Sequence, residues 1–553
     1  MRQGAATVLL LAVVSVLFSW PLAITEEVHL SRQWDLYTLL WVIHATDSLD
    51  ASLHTTLSGW PLGQYLNRAD SFVLLLFARL WPGSEMSLVR LVVLTGPVLS
   101  GWAAERFAAR ALGASWPWSL IAGLAFAFSG LAATALLEGH VYMLFIPWLP
   151  LLGWAWMRAV GPEGRALDGL LAGLMWALCL LTSAYIGIAA SLLVVFLARR
   201  GAWAPRLTAA AVAVPVGLLY LRLFVQSGGG QRLDAGGYTI PHTEILSAGS
   251  ARLGTLIGWN SDIDLFFHSL APRLGAVILG LALLAPVVLR RVALPWRRML
   301  AMAILCVLLS LGSTVQFFHH DLELPWLLAP FGGLPGLSFF HFPARLLHIA
   351  VLALGAVAAL VATRLHRRVG WLALPLLAMA VIDALAGSGA PLRSGRVPVH
   401  IPAAYLQAPP GAILEMFPRF NTNNGDMENY INNLTCSYQR LHNRPLLNLC
   451  IGTALRTGPR WQVSGWLFDA LLDRAPDERI PDTLGALGIG SVVLHSDLFQ
   501  PSDRVSLREG LVTTLGEPLA ESMVGEHVVL FAVPPDPAAD PEAMYATIEA
   551  AEW

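Results

Sequence analysis

An acid follows the first apolar segment of the chain, among aromatic residues and leucines. The stretch 31–41 reads SRQWDLYTLLW and contains Asp35. A carboxylate at the apolar edge of a membrane costs free energy unless it faces water, a partner or a ligand. Asp35 could cap a helix or pair with Arg32. Alternatively, it could act as a general base that takes a proton from an attacking hydroxyl group.

Other ionisable side chains lie at the ends of apolar segments. Arg345 opens the apolar run in FPARLLHIAVL; its guanidinium could donate paired hydrogen bonds to a phosphate, or it could extend to the membrane surface. His140, in GHVYMLF, could contact a substrate or be a hydrogen-bonded residue of the membrane interface. In LNRAD, Arg68 could contact a substrate or anchor the chain at the outer membrane edge, and Asp70 could take part in catalysis or be a surface acid at a helix end. A base and a phosphate ligand together suit transfer from a phosphate-linked donor to a hydroxyl group.

The composition places these residues in a membrane protein. Of 553 residues, 13% are charged and 56% are hydrophobic, whereas soluble domains average about 25% charged residues. The formal net charge of −2 argues against nucleic acid as a partner, because nucleic acid requires a basic surface.

Apolar stretches long enough to cross a bilayer recur along the chain, since about 20 residues suffice. The sequence predicts eleven spans, at residues 5–24, 87–107, 115–137, 141–158, 167–182, 184–199, 206–225, 272–290, 297–313, 343–363 and 370–387. The fifth and sixth almost touch at LLTSAYIG, which predicts either a hairpin or one broken helix. We expect Ser183 and Tyr185, at this turn, to serve packing.

Arginine predicts the orientation, because short cytoplasmic loops carry the positive excess. Every second connection is rich in arginine: RFAARALGAS, MRAVGPEGR, ARRGAWAPR, LRRVALPWRR and TRLHRRVG. The alternate connections are mostly longer and more acidic or neutral. We therefore predict a cytoplasmic amino terminus, with the large loops and the carboxyl-terminal tail outside.

Two segments outside the spans have patterns of their own. The loop 25–86 is too long for a simple connector, and the spacing of its leucines predicts an amphipathic helix that begins near Asp35. From about residue 390 short alternating runs such as GSVVLHS predict strands between helices. We therefore predict a transmembrane domain at 1–389 and an extracytoplasmic α/β domain at 390–553. Cys436 and Cys450 could form a disulfide in that domain.

The order of these parts resembles bacterial GT-C class glycosyltransferases, multispan membrane enzymes that take a sugar from a polyprenyl-phosphate carrier on the outer face. The resemblance covers the membrane part and, more loosely, the tail. Its matching segments are WDLYTLLW, WPLGQYLNRADSFVLL, GHVYMLFIPWLPL, LLTSAYIG, LPGLSFFHFPARLLHIAVLALG and GAILEMF.

The resemblance implies roles for particular residues. Asp35 occupies the place of the catalytic base, and Asp70 matches a second acid near the end of the loop. Arg345 matches a ligand of the donor phosphate, while His341 stands where the family pattern has arginine. No second acid adjoins Asp35, so a divalent metal, which prefers several oxygen ligands, is only weakly supported.

The resemblance implies a glycosyltransferase of the bacterial cytoplasmic membrane. Its partners would be a polyprenyl-phosphate sugar, membrane lipid and a glycan, lipid or protein acceptor. The alternatives are a transporter or flippase for a lipid-linked glycan, or a non-catalytic assembly protein. Transporters usually place charges or helix breaks at mid-membrane, often in repeated halves. Here the polar groups gather at the predicted outer ends and no halves repeat, which favours the enzyme.

Overall fold

The structure is a computed structural model. It describes residues 2–20, 34–46, 54–55, 64–65, 72–198, 203–226, 256, 274–292, 295–312, 314–317, 320–325, 343–370, 374–386, 401–417, 435–436, 438–439, 442–447, 463, 466–468, 470–471, 478–523 and 527–544. For residues 2, 34–38, 54–55, 64–65, 137–138, 223–226, 314–317, 320–325 and 386 only the backbone is described.

Helices dominate the described residues. In chain order they are α1 (Arg2–Phe18), α2 (Trp34–Ala45), α3 (Phe72–Leu80), α4 (Glu85–Arg106), α5 (Leu120–Ala127), α6 (Gly130–Glu138), α7 (Trp148–Ala159), α8 (Ala166–Thr182), α9 (Ala184–Leu197), α10 (Trp203–Gln226), α11 (Ala276–Leu283), α12 (Ala285–Val288), α13 (Trp296–Ser310), α14 (Leu347–Val369), α15 (Leu374–Ala386), α16 (Ile480–Ala486) and α17 (Pro501–Leu515). A π-helical turn, Phe107–Ala111, extends α4. Short 3₁₀ helices span Val141–Leu144, Pro343–Leu346, Ala403–Gln407 and Ser496–Leu498.

The strands are short. They are β1 (His54–Thr55), β2 (Gln64–Tyr65), β3 (Thr314–Phe317), β4 (His320–Pro325), β5 (Ala412–Met416), β6 (Ile489–His495), β7 (Ala520–Ser522) and β8 (Val528–Ala532). β1 pairs with β2 and β3 with β4, both antiparallel.

The chain divides into two compact units. The larger unit comprises Met1–Arg32, Asp70–Gln231 and Ile240–Arg396, and the smaller comprises Gln33–Ala69, Arg232–Thr239 and Val397–Trp553. The helix α2, from the first long loop, therefore clusters with the carboxyl-terminal part of the chain.

Three described helices of the larger unit are long and apolar enough to cross a membrane: Glu85–Ala111, Trp203–Arg222 and Pro343–Val369. A helix of 27 residues is about 40 Å long, which exceeds the roughly 30 Å hydrocarbon core. These helices coincide with three of the predicted spans and indicate a membrane protein, while the total of eleven spans stays a prediction. At LLTSAYIG the structure has two helices, α8 and α9, which pack on each other and are separated by Ser183 in an extended conformation.

The core of the larger unit surrounds α14, whose residues 347–363 are all buried. It packs against α5, α11 and α13. Small residues allow neighbouring helices to approach closely: a Cβ added at Gly123 of α5 would lie 2.7 Å from the carbonyl oxygen of Gly101 in α4. Such approach is typical of helices that pack within a membrane.

The smaller unit contains a four-stranded sheet in the order β5-β6-β8-β7. β5 runs parallel to β6, and the other pairs are antiparallel. Successive side chains of a strand point to opposite faces, and one face carries an apolar core that includes Leu414, Val492 and Phe531. The other face carries buried polar groups, Glu415 and His495.

The predicted helix near Asp35 is confirmed as α2, but it is not amphipathic over its described side chains. All five residues from Leu39 to Ile43 are buried. The indole Nε1–H of Trp41 donates a hydrogen bond to Oε1 of Gln439. The described side chains of α2 are therefore buried on every side of the helix, and Trp41 is bonded to another part of the smaller unit.

Among the cysteines, Cys436 is disulfide-bonded. Cys179 and Cys306 are free and buried in α8 and α13. Cys450, the partner that we predicted for Cys436, lies outside the described residues.

Candidate functional site

Arg345 is the centre of the candidate site. It lies in the 3₁₀ turn Pro343–Leu346, whose four residues are all buried, directly before α14. Only 8% of Arg345 is exposed. Because arginine stays charged in proteins, and a charge at the end of an apolar helix is costly, this position calls for stabilising contacts.

One contact of Arg345 is the aromatic ring of Tyr185. The guanidinium carbon lies 4.8 Å from the ring centroid, within the range of a cation–π interaction. Tyr185 is in the first turn of α9, which packs against the 3₁₀ turn of Arg345. We expected this tyrosine to serve packing; it is buried, but it also holds the guanidinium.

A second contact is the imidazole of His140, 3.1 Å from Nη2 of Arg345 to Nε2 of His140. Arginine can only donate, so Nε2 must accept and the neutral ring carries its proton on Nδ1. Nδ1 lies 3.4 Å from the hydroxyl of Tyr142. Loss of hydration on burial and the nearby charge of Arg345 hold the pKa of His140 well below its usual value. His140 is therefore a neutral acceptor at neutral pH.

The chain reaches His140 through a glycine turn. Gly139 ends α6 with φ +80°, the left-handed conformation that glycine adopts readily after a helix. His140 then leads into the 3₁₀ helix Val141–Leu144. This local geometry sets the imidazole beside Arg345, which is 205 residues away in sequence.

These two contacts, a neutral imidazole and a phenol ring, orient the guanidinium. An oriented cation at the end of a membrane helix suits an anionic head group, because a guanidinium can donate two parallel hydrogen bonds to phosphate oxygens. The arrangement can therefore bind a phosphate and stabilise charge that develops on it.

The structure brings together two of the predicted site residues, His140 and Arg345. Asp35 lies in the first turn of α2, and its side chain is outside the described residues. Arg68, Asp70 and His341 also lie outside them. The roles that we predicted for all six residues, His140 and Arg345 included, stay predictions.

Sequence reasoning missed Tyr185 as a contact of Arg345. The available signal was an aromatic residue at the turn between two short apolar segments, on the same predicted side of the membrane as Arg345. Within the part of the chain that the structure describes, no group of three or more His, Cys, Asp and Glu residues could hold a metal ion.

Solved structures share this fold over almost the whole chain. The arabinofuranosyltransferase AftD from Mycobacteria matches with a TM-score of 0.59 and 15% identity, over 98% of this chain and 40% of AftD. ArnT from Cupriavidus metallidurans in its apo state matches with a TM-score of 0.53 and 13% identity, over 98% of this chain and 100% of ArnT. Both are GT-C glycosyltransferases. The chain has the GT-C glycosyltransferase fold.

The GT-C resemblance inferred from the order of motifs is thus confirmed at the level of the fold. The chain spans less than half the length of AftD and the full length of ArnT. ArnT bound to undecaprenyl phosphate also matches, with a TM-score of 0.50 and 14% identity, over 97% of this chain and 99% of that one. No protein-family model matches the sequence, and no curated protein matches it significantly.

Proposed function

We propose that the protein is a membrane glycosyltransferase that moves a sugar from a polyprenyl-phosphate donor to an extracytoplasmic acceptor. The observation that carries the proposal is the buried Arg345, oriented by His140 and Tyr185 at the start of a membrane helix of a GT-C fold. The binding of undecaprenyl phosphate by ArnT, which has the same fold, supports a lipid phosphate as the ligand.

In this proposal the acceptor hydroxyl attacks the anomeric carbon of the donor sugar. Asp35 accepts the hydroxyl proton as the new glycosidic bond forms. The bond between the anomeric carbon and the phosphate oxygen breaks, and polyprenyl phosphate leaves with the electron pair. Arg345 stabilises the negative charge that develops on that oxygen.

The other predicted residues have supporting roles in the proposal. Asp70 orients the acceptor, while Arg68 and His341 contact the donor. His140 keeps the guanidinium of Arg345 turned toward the phosphate. Because His140 is neutral, it does not compete with Arg345 for the phosphate.

The test is sugar transfer by the purified full-length protein in lipid nanodiscs, measured as release of polyprenyl phosphate from a polyprenyl-phosphate sugar. We expect Arg345→Gln to lower the rate at least about 100-fold, the effect of removing a donor aimed at the developing charge. Arg345→Lys should retain part of the rate, because it keeps the charge but loses the paired donors. Asp35→Asn should reduce transfer by about 100-fold or more and leave the fold intact.

The matched control is Arg367→Gln, which removes an exposed arginine from the other end of the same helix. Full transfer by Arg345→Gln would contradict the phosphate contact. Full transfer by Asp35→Asn would contradict the assignment of the base.

A further inference from the structure

Two polar side chains at the beginnings of α9 and α14 are buried without hydrogen-bond partners among the described residues: Ser183, two residues before Tyr185, and His348, three residues after Arg345. Among the described residues, neither Nε2 of His348 nor Oγ of Ser183 has a partner. His348 is 6% exposed and Ser183 is fully buried. Buried polar groups are nearly always hydrogen-bonded, so each such exception calls for an explanation.

The hydrogen-bonding state of His348 is fixed by the first turn of α14. Nδ1 of His348 lies 3.0 Å from the carbonyl oxygen of Arg345. A carbonyl can only accept, so Nδ1 carries a proton and donates it. In the neutral ring Nε2 is then an acceptor with a lone pair, and it requires a donor from outside the described contacts.

Ser183 separates α8 from α9 in an extended conformation. Serine before a helix usually accepts a hydrogen bond from the backbone of the first turn, but Ser183 forms no such cap. Its hydroxyl can both donate and accept. Two residues later, Tyr185 contacts the guanidinium of Arg345.

These groups belong to elements that pack on one another. The 3₁₀ turn of Arg345 contacts α9, and α14 contacts α9 as well. A cation, a neutral acceptor and a hydroxyl are therefore contributed by the beginnings of two adjoining helices. The cation suits an anion, whereas the acceptor and the hydroxyl suit a neutral polar group.

We propose that His348 and Ser183 bind hydroxyl groups of the donor sugar while Arg345 binds the donor phosphate. The inference rests on the proposed function and extends it. In a polyprenyl-phosphate sugar the phosphate is a diester and carries no proton at neutral pH, so it cannot donate to Nε2 of His348. The hydroxyl groups of the sugar can, and His348 and Ser183 thereby distinguish the glycosylated lipid from the bare lipid phosphate.

The experiment measures dissociation constants of the full-length protein in nanodiscs for two lipids, polyprenyl phosphate and its glycosylated form. His348→Asn keeps an N–H in the position of Nδ1 and removes the acceptor at Nε2. Ser183→Ala removes the hydroxyl alone. We expect each variant to bind polyprenyl phosphate as the wild type does, and to bind the glycosylated lipid at least tenfold more weakly.

Melting temperature without ligand separates this role from a structural one. Ser183→Ala removes a polar group that lacks a partner, so we expect the variant to melt at the same temperature as the wild type or higher.

The matched controls lose hydrogen bonds that are already satisfied. Thr182→Val removes the bond to the carbonyl of Leu178 next to Ser183, and His366→Asn replaces a histidine bonded to the carbonyl of Gly370 at the other end of α14. Neither control should change the ratio of the two affinities.

Three outcomes would overturn the inference. The first is wild-type affinity of both variants for both lipids, and the second is equal weakening for both lipids, which would indicate an effect on Arg345 or on the fold. The third is a wild type that binds neither lipid, which would contradict the proposed function as well. Arg345→Gln, expected to weaken both lipids, reports on the phosphate contact separately from the sugar contacts.

Discussion

His442 shows how the smaller unit controls the charge of one side chain. Its Nδ1 accepts a hydrogen bond from the backbone N–H of Arg444 at 3.1 Å, and its ring stacks on Tyr405 with 5.4 Å between centroids. Burial, followed by the charges of Arg444 and His44, lowers the pKa of His442 to about 3. The folded protein therefore keeps this imidazole neutral where the unfolded chain would protonate it.

The low pKa of His442 predicts an acid-labile fold. Between its usual pKa of about 6.5 and about 3, the unfolded chain binds a proton that the folded state does not. Above pH 6.5 this group does not lower the free energy of unfolding. Below pH 6.5 the free energy of unfolding declines as the pH falls, by at most about 1.4 kcal/mol per pH unit. His442→Asn keeps an acceptor for Arg444 and removes the titrating group. We expect the melting temperature of the variant to fall less than that of the wild type between pH 6.5 and 4.5. Equal falls in melting temperature for the two proteins would contradict the low pKa of His442.

A second buried network lies on the same face of the sheet. Nε2 of His495 lies 2.9 Å from Oε2 of Glu415, and the hydroxyl of Tyr405 donates to the same carboxylate. Glu415 is fully buried and His495 nearly so. Breaking one member of such a group leaves a polar partner unsatisfied in a dry environment, which is costly. These residues therefore hold the polar face of the sheet in one arrangement.

At the scale of elements, α2 is held within the smaller unit by Gln439. The amide of Gln439 accepts from the indole of Trp41 and donates to the carbonyl oxygen of Arg444 at 2.9 Å. Both Trp41 and Gln439 are fully buried. Because α2 also carries Asp35, the packing of this unit sets the position of the residue that we propose as the base.

A double-mutant cycle tests this contact. Gln439→Leu removes the acceptor of the indole N–H of Trp41, and Trp41→Phe removes the indole N–H that donates to Oε1 of Gln439. Each should destabilise the protein by about 1–3 kcal/mol, the cost of an unsatisfied buried group. The double variant should lose less than the sum of the two, because neither member of the pair then remains unsatisfied. Losses in the free energy of unfolding that simply add in the double variant would contradict the coupling. Sugar transfer by the same variants shows whether the coupling extends to Asp35.

The sequence predicts elements that depend on local pattern. Apolar runs and leucine spacing predicted α2, the break near Ser183 and three spans, because each depends on residues close in the chain. The sequence could not pair His140 with Arg345, or Trp41 with Gln439, because those contacts join residues 205 and 398 positions apart. It singled out Arg345 and His140 separately, as polar groups at apolar boundaries, but Tyr185 resembled an ordinary packing residue until the helices were placed.

At the scale of the molecule, arginines stacked on tryptophans mark one set of helix ends in the larger unit. The pairs are Trp102 with Arg106, Trp154 with Arg158, Trp203 with Arg206, and Trp296 with Arg297, with distances from guanidinium carbon to ring of 5.3–6.0 Å. Each pair lies at an end that the arginine pattern assigns to the cytoplasm. Tryptophan and arginine are both favoured at a membrane interface, so the pairs are consistent with that assignment. Arg345 is at an end assigned to the opposite side.

This assignment predicts which surfaces a membrane-impermeant thiol reagent can reach. Glu163 is exposed in the arginine-rich connection between α7 and α8, and Ser502 is exposed in the first turn of α17. In a background that carries Cys179→Ala and Cys306→Ala, we expect Ser502→Cys to react in right-side-out membrane vesicles and Glu163→Cys to react only after permeabilisation. If Glu163→Cys reacted in intact vesicles and Ser502→Cys only after permeabilisation, the topology would be the reverse of the predicted one. It would also place Arg345 on the cytoplasmic side, so that the acceptor in the proposed reaction could no longer be extracytoplasmic.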